Sequence, residues 1–193
     1  MPAIRGPGWG WHQLNSCWAR RVVADAGVAP GDLVLDVGAG TGAITSALVA
    51  AGARVVAIEL HPQRAAYLRG QFDRRDVRVV RADASDLRLP RRPFNVVSNP
   101  PFGITTSLVK RLVSPGSRLV RADLLVPWHA AERWSLRNAP GRERWDSDFM
   151  ARLGRPPPRS AFRPPPPHDV AVLVVVRRDP YPPRRPVPAR RRP

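Results

Sequence analysis

Short segments of the sequence combine glycine, acidic and amide residues in patterns typical of ligand binding. The segment LDVGAGTGAI places Gly38, Gly40 and Gly42 directly after an apolar run. Gly38 and Gly40 allow a tight turn and let ligand atoms approach the backbone. A glycine-rich loop between a strand and a helix binds its ligand at the carboxyl end of a parallel sheet. We therefore expect a ligand site next to this loop.

Two acidic residues follow, each near the predicted end of a strand. Glu59 ends RVVAIEL, where its carboxylate can accept both ribose hydroxyls of an adenosine-bearing ligand, and Asp83 in VRVVRADA can meet the adenine edge. The loop alone fits NAD(P) and S-adenosylmethionine equally well, because Gly38-x-Gly40-x-x-Ala43 also satisfies the dinucleotide fingerprint. Glycines that serve only helix–strand packing, a solvated Glu59 and a helix-capping Asp83 remain alternatives.

The segment SNPPFG favours S-adenosylmethionine, a sulfonium methyl donor, over NAD(P). Its two prolines stiffen the chain after a strand. The Asn99 side-chain carbonyl and the Pro100 backbone carbonyl can each accept one hydrogen of an exocyclic amine, which aims the nitrogen lone pair at a methyl group. Phe102 can stack on the base, so alignment carries the step without a strong general base. Hydride transfer needs no such corner. The alternative is a Pro-Pro turn with a core phenylalanine.

Short apolar runs alternate with helical segments, which predicts a parallel sheet covered on both faces. The fold class is α/β, with a doubly wound, mostly parallel, Rossmann-like sheet. Predicted strands are 33–37, 54–60, 77–84, 94–100, 118–128 and an antiparallel 170–178; predicted helices are 16–26 with Ser16 as N-cap, 42–53, 62–72, 104–114 and 129–136. An arm (1–15) precedes the domain (16–178), and a disordered Pro/Arg tail (179–193) follows it.

The charge of the chain favours a polyanionic partner. Its 32 basic residues outnumber 15 acidic ones, a net charge of +17. Coding from a GC-rich genome would explain why arginine replaces lysine, but not the excess of base over acid. No apolar run approaches the ~20 residues of a membrane span. We expect a cytoplasmic protein that binds nucleic acid and not a membrane.

The order and spacing of DVGAGTG, AIEL, RADA and NPPF resemble those of the ribosomal RNA adenine N6-methyltransferases, the Erm and KsgA group. The later AFRPPPPHDVAVLVV is similar to that group's late motif. The resemblance runs from about Gly10 to about Arg178 and fits the Erm branch better than the housekeeping branch of the group. It implies transfer of methyl from S-adenosylmethionine to N6 of an adenine in 23S rRNA, with resistance to macrolides, lincosamides and streptogramin B.

The resemblance also implies roles for individual residues. Trp11-His12-Gln13-Leu14 aligns with the group's Gln-Asn-Phe-Leu or Gln-His-Phe-Leu, which places His12 and Leu14 at the cofactor. Phe162 would cover the second face of the flipped adenine. The implied cofactor residues are His12, Leu14, Gly38, Gly40, Glu59, Asp83 and Asn99, and the implied catalytic residues are Asn99, Pro100, Phe102 and Phe162; no metal site is predicted.

The sequence departs from the group at Trp11 and Gln13, where glutamine and phenylalanine are usual, and at Phe102, where tyrosine is commoner. It departs again in two longer stretches. LLVPW (124–128) stands where a Leu-Gln-Arg-Glu-like run is usual, and about fifteen residues follow the last predicted strand, so we expect a short form without the helical C-terminal domain. The expected substrate is precursor or free 23S rRNA before ribosome assembly, bound by a monomer. Methylation of another RNA or of DNA, and a non-catalytic RNA-binding or ribosome-assembly module, are the alternatives.

Overall fold

The computed structural model describes residues 12–179, so most of the predicted arm and nearly all of the predicted tail lie outside the described residues. The strands are β1 (Gln13–Leu14), β2 (Leu33–Val37), β3 (Arg54–Ile58), β4 (Val77–Val80), β5 (Phe94–Ser98), β6 (Leu119–Pro127), β7 (Phe149–Leu153), β8 (Phe162–Arg163) and β9 (Val170–Arg177). The α-helices are α1 (Ser16–Asp25), α2 (Ala43–Ala50), α3 (Pro62–Gln71), α4 (Thr105–Leu112) and α5 (Trp128–Ser135).

Seven of these strands form one sheet in the order β4-β3-β2-β5-β6-β9-β7. The first five are parallel, and β9 lies antiparallel between β6 and β7. The predicted doubly wound, mostly parallel sheet is therefore confirmed, including its antiparallel last strand. The chain order reverses between β2 and β5, and the crevice beyond their carboxyl ends is where such sheets bind ligands.

Apolar side chains cover both faces of the sheet, which explains the continuous apolar runs of its strands. Leu35 and Val37 pack in a buried cluster with residues of α4 and α5. Val34 points to the opposite face and packs in a second cluster with residues of α1 and α2. The two layers of helices hold β2 and β5 rigidly, so the loops that leave these strands have fixed starting points.

The structure differs from the sequence predictions in three elements. The helix α1 is capped by Asn15, whose side chain accepts from the Trp18 backbone N–H, and not by Ser16. Residues Gln13–Leu14, predicted as part of an arm, pair with Phe162–Arg163 in a separate two-stranded sheet. The edge strand Phe149–Leu153 was not predicted. Within the described residues, no helix is long and apolar enough to cross a bilayer.

Candidate active site

A cleft of about 520 Å³ opens at the crevice between β2 and β5. Its walls come from the loops that follow β2, β3, β4 and β5, so residues far apart in the sequence meet there. Most of the residues predicted from the sequence line this cleft: His12, Gly38, Glu59, Asp83, Asn99, Pro100 and Phe102. The volume lies within the range of small-molecule sites, about 300–1,000 Å³.

The glycine loop and the proline corner touch each other at Gly38. The backbone of Gly38 has φ +74°, and a Cβ atom added there would lie 2.8 Å from Pro101 Cδ and 3.4 Å from Pro100 Cα. Only glycine both adopts this conformation without strain and leaves room for the ring. Gly38 therefore brings the loop after β2 into contact with the corner after β5, which joins the two motifs in one wall.

The Glu59 carboxylate fixes the loops on either side of it. It is 5% exposed. Its Oε2 accepts from the Gly40 backbone N–H at 2.8 Å, and its Oε1 accepts from the His61 backbone N–H at 2.8 Å. A carboxylate oxygen has a further lone pair after one such bond. Glu59 can thus hold the glycine loop in shape and still accept a ligand hydroxyl from the cleft.

Asp83 both caps a short helix and lines the cleft. Its Oδ1 accepts from the Ser85 backbone N–H at 2.8 Å, at the start of the 3₁₀ helix Ala84–Asp86. Hydrogen bonding from Ser85 lowers the pKa of Asp83, so the side chain is ionised at neutral pH. The capping role that the sequence left open is present, and the carboxylate also borders the cleft.

The amide of Asn99 is oriented by the N-terminal segment. Its Nδ2 donates to the backbone oxygen of His12 at 2.7 Å. Because a backbone oxygen only accepts, the nitrogen of the amide must be the atom that faces His12. Oδ1 makes no hydrogen bond within the described residues, and Asn99 lines both the cleft and a small pocket beside the glycine loop.

The ring of His12 connects the proline corner with the late proline-rich loop. Its Nδ1 donates to the Pro164 backbone oxygen at 2.9 Å. The same ring stacks on Phe102, with centroids 5.7 Å apart and planes inclined by 25°. His12 therefore covers part of one wall of the cleft and holds the Phe102 ring in place.

A small pocket of about 20 Å³ lies behind the glycine loop, between Asp36, Gly38, Thr41 and Asn99. Burial raises the pKa of Asp36 to about 7, although Thr45 Oγ1 donates to its Oδ2 at 2.6 Å. Thr41 Oγ1 is buried and has no hydrogen-bond partner in residues 12–179. A buried hydroxyl without a partner is uncommon, and the adjoining pocket has room for about one water molecule or one small polar group of a ligand.

A sequence model of the ribosomal RNA adenine dimethylase family matches residues 14–188 of the chain. The chain belongs to this family. The "Ribosomal RNA small subunit methyltransferase A" of Thermosynechococcus vestitus is 34% identical over 184 residues, covering 86% of this chain and 68% of that protein. The mycinamicin-resistance protein MyrB of Micromonospora griseorubida is 38% identical over 152 residues, covering 75% of this chain and 47% of MyrB.

The solved structure of the 23S rRNA methyltransferase ErmE has the same fold as this adenine dimethylase family member. The TM-score is 0.75 at 25% sequence identity, with 85% of this chain and 68% of ErmE covered. The chain spans between 38% and 68% of the length of the curated relatives it matches, for example 57% of an rRNA adenine N-6-methyltransferase from Corynebacterium diphtheriae. The family resemblance drawn from the four motifs is confirmed.

Two residues that the resemblance placed at the site of an adenine dimethylase lie in the core of this structure. Phe162 is 1% exposed and Leu14 is 2% exposed. They pair across the two-stranded sheet and pack in the cluster under α1 and α2. Phe162 therefore does not line the cleft, and Leu14 reaches only the small pocket behind the glycine loop.

The sequence interpretation missed apolar and basic residues of the cleft wall. Leu60 follows Glu59 directly and is 39% exposed, and Ile104 follows the proline corner. Arg64 enters from α3, and its burial lowers its pKa while the charge of Glu59 opposes that effect. An apolar residue next to an acid at a strand end was the signal for Leu60; Arg64 lies one turn into the following helix.

Proposed function

We propose that the chain transfers a methyl group from S-adenosylmethionine to N6 of an adenine in 23S rRNA. We further propose that this modification confers resistance to macrolides, lincosamides and streptogramin B. The observation that carries the proposal is the fixed orientation of Asn99, whose Oδ1 remains an acceptor beside Pro100 and Phe102 at the cleft. The names of ErmE and MyrB support the choice of target and of phenotype.

The residues of the cleft fit S-adenosylmethionine, which supplies an electrophilic methyl group on a sulfonium. Glu59 offers carboxylate oxygens to ribose hydroxyls, and Asp83 lies further along the same wall, where it can meet an adenine amine. Leu60 and Ile104 supply apolar surface for a purine ring. The unpartnered Thr41 hydroxyl and the glycine loop mark a polar end, which suits the amino-acid part of the donor.

The corner supplies the geometry that an exocyclic amine requires. Asn99 Oδ1 and the Pro100 carbonyl accept the two amine hydrogens, which directs the nitrogen lone pair away from the purine plane. Phe102, held by His12, stacks on the base and fixes its plane. Correct placement of the reacting atoms can lower the barrier by on the order of 7–11 kcal/mol in well-oriented reactions. The proton leaves after the nitrogen becomes positively charged.

The target adenine must leave its stack to enter the cleft, at a cost of a few kcal/mol. Arginine contacts with the phosphate backbone offset this cost, since the chain carries a net charge of +17. We propose free or precursor rRNA as substrate, a monomeric and cytoplasmic protein, and RNA contacts by the arginines of residues 180–193. Deleting these residues is expected to weaken RNA binding and flatten its salt dependence; unchanged affinity and slope would contradict this part.

A second candidate target is an adenine of the small-subunit RNA. It is favoured by the 34% identity to the small subunit methyltransferase A of Thermosynechococcus vestitus. Expression in a macrolide-sensitive bacterium separates the two. The proposal expects a joint rise in tolerance to a macrolide, a lincosamide and streptogramin B, which Asn99→Ala abolishes. Methylation of 16S rRNA without any rise in tolerance would favour the second target.

A further inference from the structure

Trp128 is an exposed aromatic residue at the sheet edge that carries the cleft. It begins α5, immediately after β6, the strand next to β5. Its side chain is 39% exposed, whereas Trp134 and Trp145 are 1% and 3% exposed. Trp18 is half-buried, with the Arg21 guanidinium 5.1 Å from its ring centroid. Within the described residues, Trp128 is thus the tryptophan most open to solvent.

The late proline-rich loop holds this tryptophan and also borders the cleft. The Trp128 backbone N–H donates to the Asp169 backbone oxygen at 2.8 Å. The neighbouring His129 ring meets the His168 ring edge-on, with centroids 6.4 Å apart. Pro167, which precedes His168, lines the cleft. The exposed indole and the cleft are therefore joined by one short, anchored stretch of chain.

The setting of Trp128 suits an RNA base. Exposed arginines occur in the same stretches of chain, Arg133 five residues further along α5 and Arg163 six residues before Asp169. Proteins hold single-stranded RNA by combining such basic surface with aromatic side chains on which bases stack. When the target adenine moves into the cleft, its neighbour loses a stacking partner. An exposed indole, held through its backbone by the loop that borders the cleft, can replace that partner.

We propose that Trp128 is a stacking platform for a nucleotide adjacent to the target adenine. This inference rests on the proposed function, because it needs an RNA whose target base has left the stack. The indole does not touch the reacting atoms; it lowers the free energy of the extruded state and so acts on RNA binding. It also gives the helix that follows β6 a function other than packing.

The test compares Trp128→Ala and Trp128→Phe in the full chain with Leu136→Ala, a control at an exposed apolar residue just beyond α5. The substrates are a 23S rRNA hairpin and copies with an abasic site on either side of the target adenine. RNA affinity is measured by fluorescence anisotropy, methyl transfer by kcat and KM, and donor affinity by calorimetry. Urea unfolding verifies that each variant is folded.

Trp128→Ala is expected to weaken RNA binding about tenfold, while Trp128→Phe stays within about threefold of the wild type. The affinity of the Trp128 variants for S-adenosylmethionine should equal that of the wild type, and so should the RNA affinity of Leu136→Ala. One abasic site should weaken binding to the wild type about tenfold and leave binding to Trp128→Ala unaffected, since the partner is already missing.

Equal effects of both abasic sites on the wild type and on Trp128→Ala would overturn the proposal, as would RNA affinity within twofold of the wild type in Trp128→Ala. Absence of methyl transfer by the wild type would instead overturn the proposed function. The anisotropy comparison does not depend on transfer, so it still decides whether Trp128 stacks on RNA.

Discussion

The side-chain nitrogen of Asn99 lies 2.7 Å from the backbone oxygen of His12, across 87 residues of sequence. This bond decides which end of the amide is available at the cleft. It couples the N-terminal segment to the corner that we propose positions the adenine amine. Predictions about catalysis can therefore be made for one atom, Asn99 Oδ1.

Replacing Asn99 should slow methyl transfer strongly while S-adenosylmethionine still binds. Asn99→Ala removes the acceptor, and Asn99→Asp replaces the donor that faces the His12 oxygen with a second acceptor. Both are expected to lower kcat about 100-fold or more, because misplacement of a reacting group by about 1 Å has an effect of this size. Radiolabelled transfer measures kcat, and calorimetry measures donor affinity. Asn138→Ala, at an exposed loop residue, is the control; an active Asn99→Ala would refute the role.

The glycine at position 38 should be required for two separable reasons. Gly38→Ala places a residue with a Cβ atom at φ +74° and pushes that atom to 2.8 Å from Pro101 Cδ. Gly27 has a similar φ of +66° and open space around it, so Gly27→Ala measures the cost of backbone strain alone. We expect losses in the free energy of unfolding of about 3 kcal/mol for Gly38→Ala and about 1–2 kcal/mol for Gly27→Ala. Equal losses in urea titrations would show that contact between the two motifs is unimportant.

Burial of Asp36 should make the stability of the fold depend on pH. Its pKa rises from 3.8 to about 7 on folding, with desolvation as the main cause. Between pH 4 and 7 the folded chain keeps a proton on Asp36 that the unfolded chain has released. The Asp36 contribution to the free energy of unfolding therefore falls as pH rises from 4 to 7, and it does not change further above pH 7. Asp36→Asn lacks this effect.

Urea unfolding at pH 5 and pH 8 tests the Asp36 prediction. The stability of Asp36→Asn relative to the wild type is expected to increase by about 3 kcal/mol between these pH values. If the free energies of unfolding of the two proteins differ by the same amount at both pH values, folding does not raise the pKa of Asp36.

Glu59 should affect the affinity for S-adenosylmethionine more than the rate of methyl transfer. Glu59→Gln keeps the size of the side chain but replaces one acceptor oxygen by a donor, which then faces a backbone N–H of Gly40 or His61. Binding of S-adenosylmethionine is expected to weaken at least tenfold in calorimetry, because hydrogen bonds to a charged group contribute about 1.5–3 kcal/mol. Glu143→Gln, at a largely exposed glutamate, serves as the control; equal donor affinities of wild type and Glu59→Gln would place the ribose elsewhere.

The central strands were predictable because they are buried on both faces and therefore read as continuous apolar runs. Phe149–Leu153 was missed because an edge strand alternates: Phe149 is buried and Met150 is 44% exposed. Asn15 rather than Ser16 caps α1, a difference of one position that propensity does not resolve.

The site was predictable where its residues sit at strand ends, since topology alone brings those ends together. The position of Phe162 was not, because Phe162 pairs with Leu14, 148 positions earlier by the register of β1 and β8. The bond between Asn99 and His12 has the same character. Long-range contacts of this kind leave no local pattern in the sequence, and Gly38 likewise reveals its contact with Pro101 only in the folded chain.

The most direct test of the account is to incubate the purified chain with S-adenosylmethionine carrying an isotopically labelled methyl group and with protein-free 23S rRNA, then locate the label by mass spectrometry. The account predicts N6-methylated adenosine at a discrete position of 23S rRNA, with label accumulating there about 100-fold or more slowly with Asn99→Ala. Label on a different atom or nucleotide, or equal labelling by the wild type and Asn99→Ala, would contradict it.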